Sequence, residues 1–282
     1  MGDFNRHTAI LGGLQINYVS KGEGIPMIFL HNGGGFWQTW EKQLTYFSAN
    51  YKVYAIDWPG CGDSEYAGIP LVLDITAKVL KEFIDHIHVS TFYLVGNCIG
   101  ASCALDYAIQ FPDKVIKLVL MNICPGDLLL PTFVNKKHIT SLQHKPKTRK
   151  LYSRLLRVFF PGILTRFYFP RILFGKSIRS ADPMFKKYRQ KQKEENQIRT
   201  RYDLVFFAFS YNIDRIIRDK IVPKHLLIWG SENKVASLEK YGYHHKSLLQ
   251  PEAFHVILNA GHLCQYESPD EVTKIIEDYI YA

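Results

Sequence analysis

Along most of the chain, short apolar runs closed by glycine-rich or polar turns alternate with stretches whose apolar residues recur at helical spacing. Met27-Ile28-Phe29-Leu30 is too short for a helix and apolar at every position, the pattern of a strand covered on both faces. Tyr51 to Ile56, Thr91 to Val95, Val115 to Met121, Leu226 to Gly230 and Phe254 to Leu258 read as further strands, and residues 8–19 as a hairpin turning at Gly12-Gly13. Apolar positions 72, 75, 79, 80, 83, 84 and 87 mark a helix over Leu71 to Val89. Trp37 and Trp40 open another, reaching to about Ala49. A third follows Cys98 through Ala101, Ala104, Leu105 and Ala108 and stops at Phe111-Pro112-Asp113, and a fourth closes the chain from Ser268 to Tyr281. Strands alternating with helices predict an α/β domain on a mostly parallel sheet.

The alternation lapses from Leu128 to about Val222. Pro131, Pro146, Pro161, Pro170 and Pro183 cut this stretch into short helices. The net charge is +9 overall, but residues 135–201 hold nineteen Lys or Arg against Asp182, Glu194 and Glu195, a net +16, so the rest of the chain is mildly acidic. The chain therefore divides into a core, 1–127 and 223–282, and a basic helical insert, 128–222. Lys186 to Lys193 reads as a solvated face. Arg157-Val158-Phe159-Phe160 and Arg166-Phe167-Tyr168-Phe169 differ, because alternating rings and cations suit an acyl-binding or membrane-facing surface. Phe159, Phe160 and Phe167, with Trp37, are the candidate substrate contacts.

Composition excludes several classes. No apolar run is long enough to span a bilayer and the first residues are charged, so a cytoplasmic protein is expected, with peripheral attachment to an acidic membrane surface through the insert as the alternative. Five cysteines, at 61, 98, 103, 124 and 264, form no C-x-x-C pair and have no zinc-type histidine spacing; disulfides, a structural metal and other cofactors are not expected. The charge alone would admit nucleic acid, but no reading motif accompanies it.

Candidate chemistry centres on Gly96-Asn97-Cys98-Ile99-Gly100, where an apolar strand breaks and a helix begins. Glycines two before and two after a nucleophile fit a turn too tight for flanking side chains, the pattern G-x-S-x-G with cysteine for serine. Asp57-Trp58-Pro59-Gly60-Cys61-Gly62-Asp63-Ser64 matches D-x-x-G-x-G-x-S, His31-Asn32-Gly33-Gly34-Gly35 follows the first central strand, and Gly261-His262 follows the last. On these four motifs the chain resembles the α/β-hydrolase family. The resemblance implies an α/β-hydrolase fold: a mostly parallel eight-stranded sheet flanked by helices, with a helical cap inserted between core strands 6 and 7. It also implies an oxyanion hole of Ile99 N–H with Gly33 or Gly34 N–H, and His262 as base. Relatives carry aspartate in a G-x-x-D-x-V loop where this chain reads Gly230-Ser231-Glu232-Asn233-Lys234-Val235. Asn233 is the favoured third member, with Glu232 and Asp127 as alternatives.

Cysteine at 98 and asparagine at 233 make chemical sense together. A thiol can give its proton to histidine before attack, leaving the third residue mainly to orient the ring, which an amide can do. The expected reaction is acyl transfer through a Cys98 thioester, by an acyltransferase or thioesterase acting on an activated apolar acyl group. Coenzyme A or an acyl carrier protein would suit the basic insert as donor. The alternatives are a carboxylesterase or lactonase, and a hydrolase-fold binding protein without turnover.

Overall fold

The computed structural model describes residues 3–129, 145–159, 162–178 and 180–282. Its strands are β1 (Asn5–Leu11), β2 (Leu14–Lys21), β3 (Pro26–Leu30), β4 (Lys52–Ile56), β5 (Phe92–Asn97), β6 (Val115–Met121), β7 (His225–Gly230) and β8 (Ala253–Ile257). They form one sheet in the order β1-β2-β4-β3-β5-β6-β7-β8. β1 pairs antiparallel with β2, and β2 with β4; every other pair is parallel. The hairpin turns where Leu11 faces Leu14, with φ of 62° at Gly12 and 80° at Gly13, a geometry that favours glycine at both positions.

The core helices are α1 (Glu41–Phe47), α2 (Leu73–His86) and α3 (Ile99–Gln110). Between β6 and β7 the described elements are all helical: α4 (Pro146–Phe159), α5 (Gly162–Leu173), α6 (Pro183–Lys191), α7 (Glu195–Ser210) and α8 (Ile213–Ile217). α9 (Tyr243–Leu249), α10 (Cys264–Glu267) and α11 (Pro269–Tyr281) complete the chain. The helix expected to open at Trp37 is instead a separate 3₁₀ turn, Trp37–Trp40, ahead of α1. The Trp37 amide, a first-turn donor without an intrahelical acceptor, donates to the Asp57 carboxylate at 2.8 Å and ties this turn to the Asp57 loop.

All six residues of β5 and of β7 are buried, because helices cover both faces. Leu94 packs with Val79, Leu80 and Phe83 of α2 and Ala104 of α3, whereas Val95 packs with Leu44 of α1 and Ile276 of α11. Each such side chain contributes roughly 1.5–3 kcal/mol of burial. The parallel strands end on one edge. The loops carrying His31–Gly35, Asp57–Ser64, Cys98, Asn122, Asn233 and His262 all leave from it, as ligand-binding loops do in open α/β sheets.

Candidate active site

Cys98 sits at φ 55°, ψ −112°, between the last residue of β5 and the first of α3. A non-glycine residue there is strained and persists only where its surroundings hold it. They do: its N–H donates to Met121 O at 2.9 Å and its carbonyl accepts the Ser102 amide at 2.9 Å. The flanking glycines are required by space. A Cβ on Gly96 would lie 2.5 Å from the Gly100 backbone, and one on Gly100 would meet the Leu30 carbonyl.

The Cys98 sulfur is ringed by donors. The Cys124 thiol hydrogen-bonds to it, His262 lies beside it, and the Gly33 N–H points at it; together these hold its pKa well below the ordinary thiol value, against the opposing effect of burial. Cys124, which gives that bond, is pushed well above it. Cys98 also stands at the N-terminus of α3, whose dipole favours a thiolate. The two glycine amides expected in the oxyanion loop separate: Gly33 faces Cys98, while Gly34 donates to the sulfur of Cys61. Ile99 is the first residue of α3, so its N–H has no intrahelical acceptor.

The His31–Gly35 loop is fastened by its own histidine and by Asp57. His31 is buried, with Nδ1 on Asn32 O at 2.6 Å, and Nε2 accepts the Trp58 N–H at 3.0 Å. Burial pushes its pKa down to about 4, so it is a neutral brace. Asp57 accepts from the Trp37 and Asp63 amides and from Asn17 Nδ2, and burial still raises it to about 6.

Asn233 Oδ1 stands 3.1 Å from His262 Nδ1. Which end of the amide faces the ring follows from its other bonds. The same Oδ1 accepts the Val235 and Ala236 amides at 3.0 Å each, and Nδ2 donates to Asn122 Oδ1 at 3.0 Å. Oδ1 is therefore an acceptor toward His262, Nδ1 carries the proton, and Nε2 is left for the sulfur. Two amides, one at the end of β5 and one just after β6, grip the same histidine: Asn97 Nδ2 and Asn122 Nδ2 donate to the His262 carbonyl at 3.0 and 3.1 Å. Neither asparagine, nor Cys124, was foreseen from sequence.

Of the other expected residues, Glu232 turns away: its Oε2 accepts the Lys176 N–H at 2.6 Å. The side chain of Asp127 lies outside the described residues, as do those of Phe159 and Phe167 and the whole of Phe160. Trp37 is 4% exposed and packs edge-on to Phe4 at 5.3 Å in the α1–α11 core layer. It is a core residue and not a substrate contact, because its ring is packed in one cluster with Phe4, Trp40 and Leu44 and almost no surface is left to meet a ligand. The insert meets the site through other side chains. A Cβ on Gly33 would lie 2.6 Å from Leu204 of α7, and one on Gly34 3.0 Å from Phe169 of α5, so these two form an apolar roof over the His31–Gly35 loop.

The end of α5 is stitched to the histidine loop. His262 N–H donates to Leu173 O at 2.8 Å, and Glu267 accepts the Gly175 amide at 2.8 Å and the Gly261 amide at 3.0 Å. Burial raises Glu267 to about 7 in spite of these bonds. A folded-state pKa above the unfolded one means stability present at low pH and lost as pH rises toward 7. The stability of the native chain relative to Glu267→Gln is therefore expected to fall by about 2–3 kcal/mol between pH 5 and pH 8, read by urea unfolding. A flat difference across that range would refute the assignment.

All five cysteines are free. Among the described residues, no cluster of three or more His, Cys, Asp or Glu is placed to hold a metal, and no helix is long and apolar enough to cross a membrane.

Residues 25–269 match a family described as alpha/beta hydrolase fold. A 2-hydroxy-6-oxo-6-phenylhexa-2,4-dienoate hydrolase of Comamonas testosteroni is 24% identical over 94% of this chain and 91% of its own length. A 2-hydroxy-6-oxononadienedioate/2-hydroxy-6-oxononatrienedioate hydrolase of the same organism is 24% identical over 96% and 92%. Among solved structures, the enol-lactonase from Burkholderia xenovorans LB400 superposes with a TM-score of 0.76 at 15% identity, covering 98% of this chain and 100% of that one.

Proposed function

The chain belongs to the α/β-hydrolase fold family, and from that premise we propose that it is a hydrolase whose nucleophile is Cys98, cleaving an activated ester, lactone or ketone through a thioester acyl-enzyme. The observation that carries this reading is the Cys98–His262–Asn233 arrangement, with its histidine tautomer set by the Asn233 amide. The Cys98 thiolate attacks the carbonyl carbon, and the Gly33 and Ile99 amides take the developing oxyanion. His262, holding the proton from sulfur on Nε2, gives it to the leaving group. A water then attacks the thioester with His262 as base, and its proton returns to the sulfur. The activities in the names of the dienoate hydrolases and the enol-lactonase support water as acceptor over the amine, thiol or carbon acceptors of an acyltransferase.

The test is to incubate the protein with p-nitrophenyl butyrate and weigh it intact. A butyryl adduct on the peptide bearing Cys98, absent from Cys98→Ala, and a turnover rate indifferent to added N-acetylcysteamine, are expected. Acceleration by that thiol would move the reading to acyl transfer. Full turnover by Cys98→Ala would overturn the nucleophile assignment.

A further inference from the structure

Three polar side chains of the insert are buried with no hydrogen-bond partner among the described residues: Nε2 and Oε1 of Gln192, Nε2 and Oε1 of Gln197, and Nε, Nη1 and Nη2 of Arg201. Gln192 and Gln197 are 1% exposed and Arg201 7%. A guanidinium stripped of water with no anion beside it is costly. Arg149, also buried in the insert, shows the ordinary solution, since Asp74 and Asp203 lie near it. The one electrostatic neighbour of Arg201 among the described residues is Tyr202, with the guanidinium 5.7 Å from the ring centre.

Position gives these groups a direction. Gln197, Arg201 and Leu204 fall at i, i+4 and i+7 of α7, one stripe of the helix, and Leu204 is the side chain that lies against Gly33. On α6, Tyr188 donates to Asn32 Oδ1 at 3.2 Å, and Gln192 follows one turn later. Both stripes start at the oxyanion loop and run to the turn joining α6 to α7, an end that Lys191 and Thr200 fasten to the Gly62 and Gly60 carbonyls. Helical side chains lean toward the helix N-terminus, so Arg201 reaches away from Leu204, to on the order of 10 Å from the oxyanion amides.

The geometry points to a carboxylate subsite: Arg201, with the side-chain amides of Gln197 and Gln192, receives an anionic group at the far end of the substrate whose carbonyl Cys98 attacks. One guanidinium and two neutral amides balance a single negative charge and present N–H donors to a planar acceptor, which suits a carboxylate better than a phosphate dianion. The substrate class is then an acyl compound with a carboxylate at the end remote from the reacting carbonyl, apolar between the two where Leu204 and Phe169 form the roof. This inference rests on the nucleophile reading for the identity of the reacting end, but not for the subsite itself.

The experiment compares p-nitrophenyl hemiesters of adipate and suberate with the neutral p-nitrophenyl hexanoate and octanoate. The native chain is expected to favour the better-fitting hemiester over its neutral partner by about 100-fold in kcat/KM, mostly through KM, and Arg201→Met to bring that ratio to about one. Independently of turnover, suberate at millimolar concentration should raise the Tm of Cys98→Ala and leave Cys98→Ala/Arg201→Met unmoved. Arg201→Met without ligand should melt above the native chain, because it removes an uncompensated buried charge. Gln197→Leu provides a second variant and is expected to cut the ratio at least fivefold, so a failure of Arg201→Met to fold does not remove the test. No hemiester preference in protein that still acylates at Cys98 would overturn the subsite alone, as would an equal Tm rise with inorganic phosphate. Activity retained by Cys98→Ala, with the preference intact, would overturn the nucleophile alone.

Discussion

Cys98→Ser is expected to lower kcat/KM by about 10³–10⁴-fold while leaving the fold intact, although serine is the commoner residue at such a turn. The change is one atom, and the turn accepts either side chain. What differs is when the proton moves. A sulfur held below its ordinary pKa by Cys124, His262 and the Gly33 amide can rest as a thiolate, so attack creates no new imidazolium. A serine hydroxyl must lose its proton during attack, and the imidazolium formed would face the neutral oxygen of Asn233 at 3.1 Å instead of a carboxylate. Replacing the aspartate of a serine triad by asparagine costs about 10⁴-fold for this reason, and Cys98→Ser would build that defective triad here. Steady-state kinetics on p-nitrophenyl butyrate, with Cys98→Ala as baseline, decide the matter. A serine variant within tenfold of the native chain would show that the sulfur has no special role.

The fold was legible because its signals are local. Each apolar run that reads as a strand in Val115–Met121 or Leu226–Gly230 is a strand to within a residue, since a short run buried on both faces has few other ways to pack. The turn at Cys98 and the Gly33–Gly34 loop were legible for a related reason: only glycine tolerates their close approaches. Choosing between Gly33 and Gly34 was not, because it depends on Cys61, which takes one of the two amides from a loop after a different strand. Trp37 misled because an aromatic beside such a glycine loop looks like a substrate contact, and nothing nearby in sequence announces that its ring will pack against Phe4, from a segment more than thirty residues earlier, in the core. Asn97 and Asn122 were missed for the same physical reason. An asparagine at a strand end is an unremarkable turn residue until the sheet brings β5, β6 and the β8 loop together over one histidine carbonyl.

Asn122 gives a physical reason for an amide at position 233, and it makes the other large prediction. Its Oδ1 accepts both the Gly230 N–H at 3.0 Å and Asn233 Nδ2 at 3.0 Å, and its Nδ2 donates to the His262 carbonyl at 3.1 Å. It is buried and held at φ 44°, a conformation asparagine tolerates better than most side chains. Asn233→Asp restores the usual residue of the family but sets a carboxylate oxygen against Asn122 Oδ1. Asn122 cannot escape by rotating its amide, because its oxygen would then face the His262 carbonyl. Asn233→Asp is therefore expected to destabilise the fold by about 2 kcal/mol and to lose activity instead of gaining it. Asn122→Ala, which removes these three hydrogen bonds and a fourth, longer one from Nδ2 to Cys264 Sγ at 3.4 Å, should cost about 2–4 kcal/mol and lower kcat by about 10–100-fold, as losses of supporting hydrogen bonds do. The double variant carries no opposed oxygens, so its cost should fall below the sum of the two single changes by about 1–2 kcal/mol. Urea denaturation of the four proteins measures that coupling directly. A coupling of zero, or an Asn233→Asp single variant as stable as the native chain, would mean that the Asn122 amide does not dictate the residue at 233.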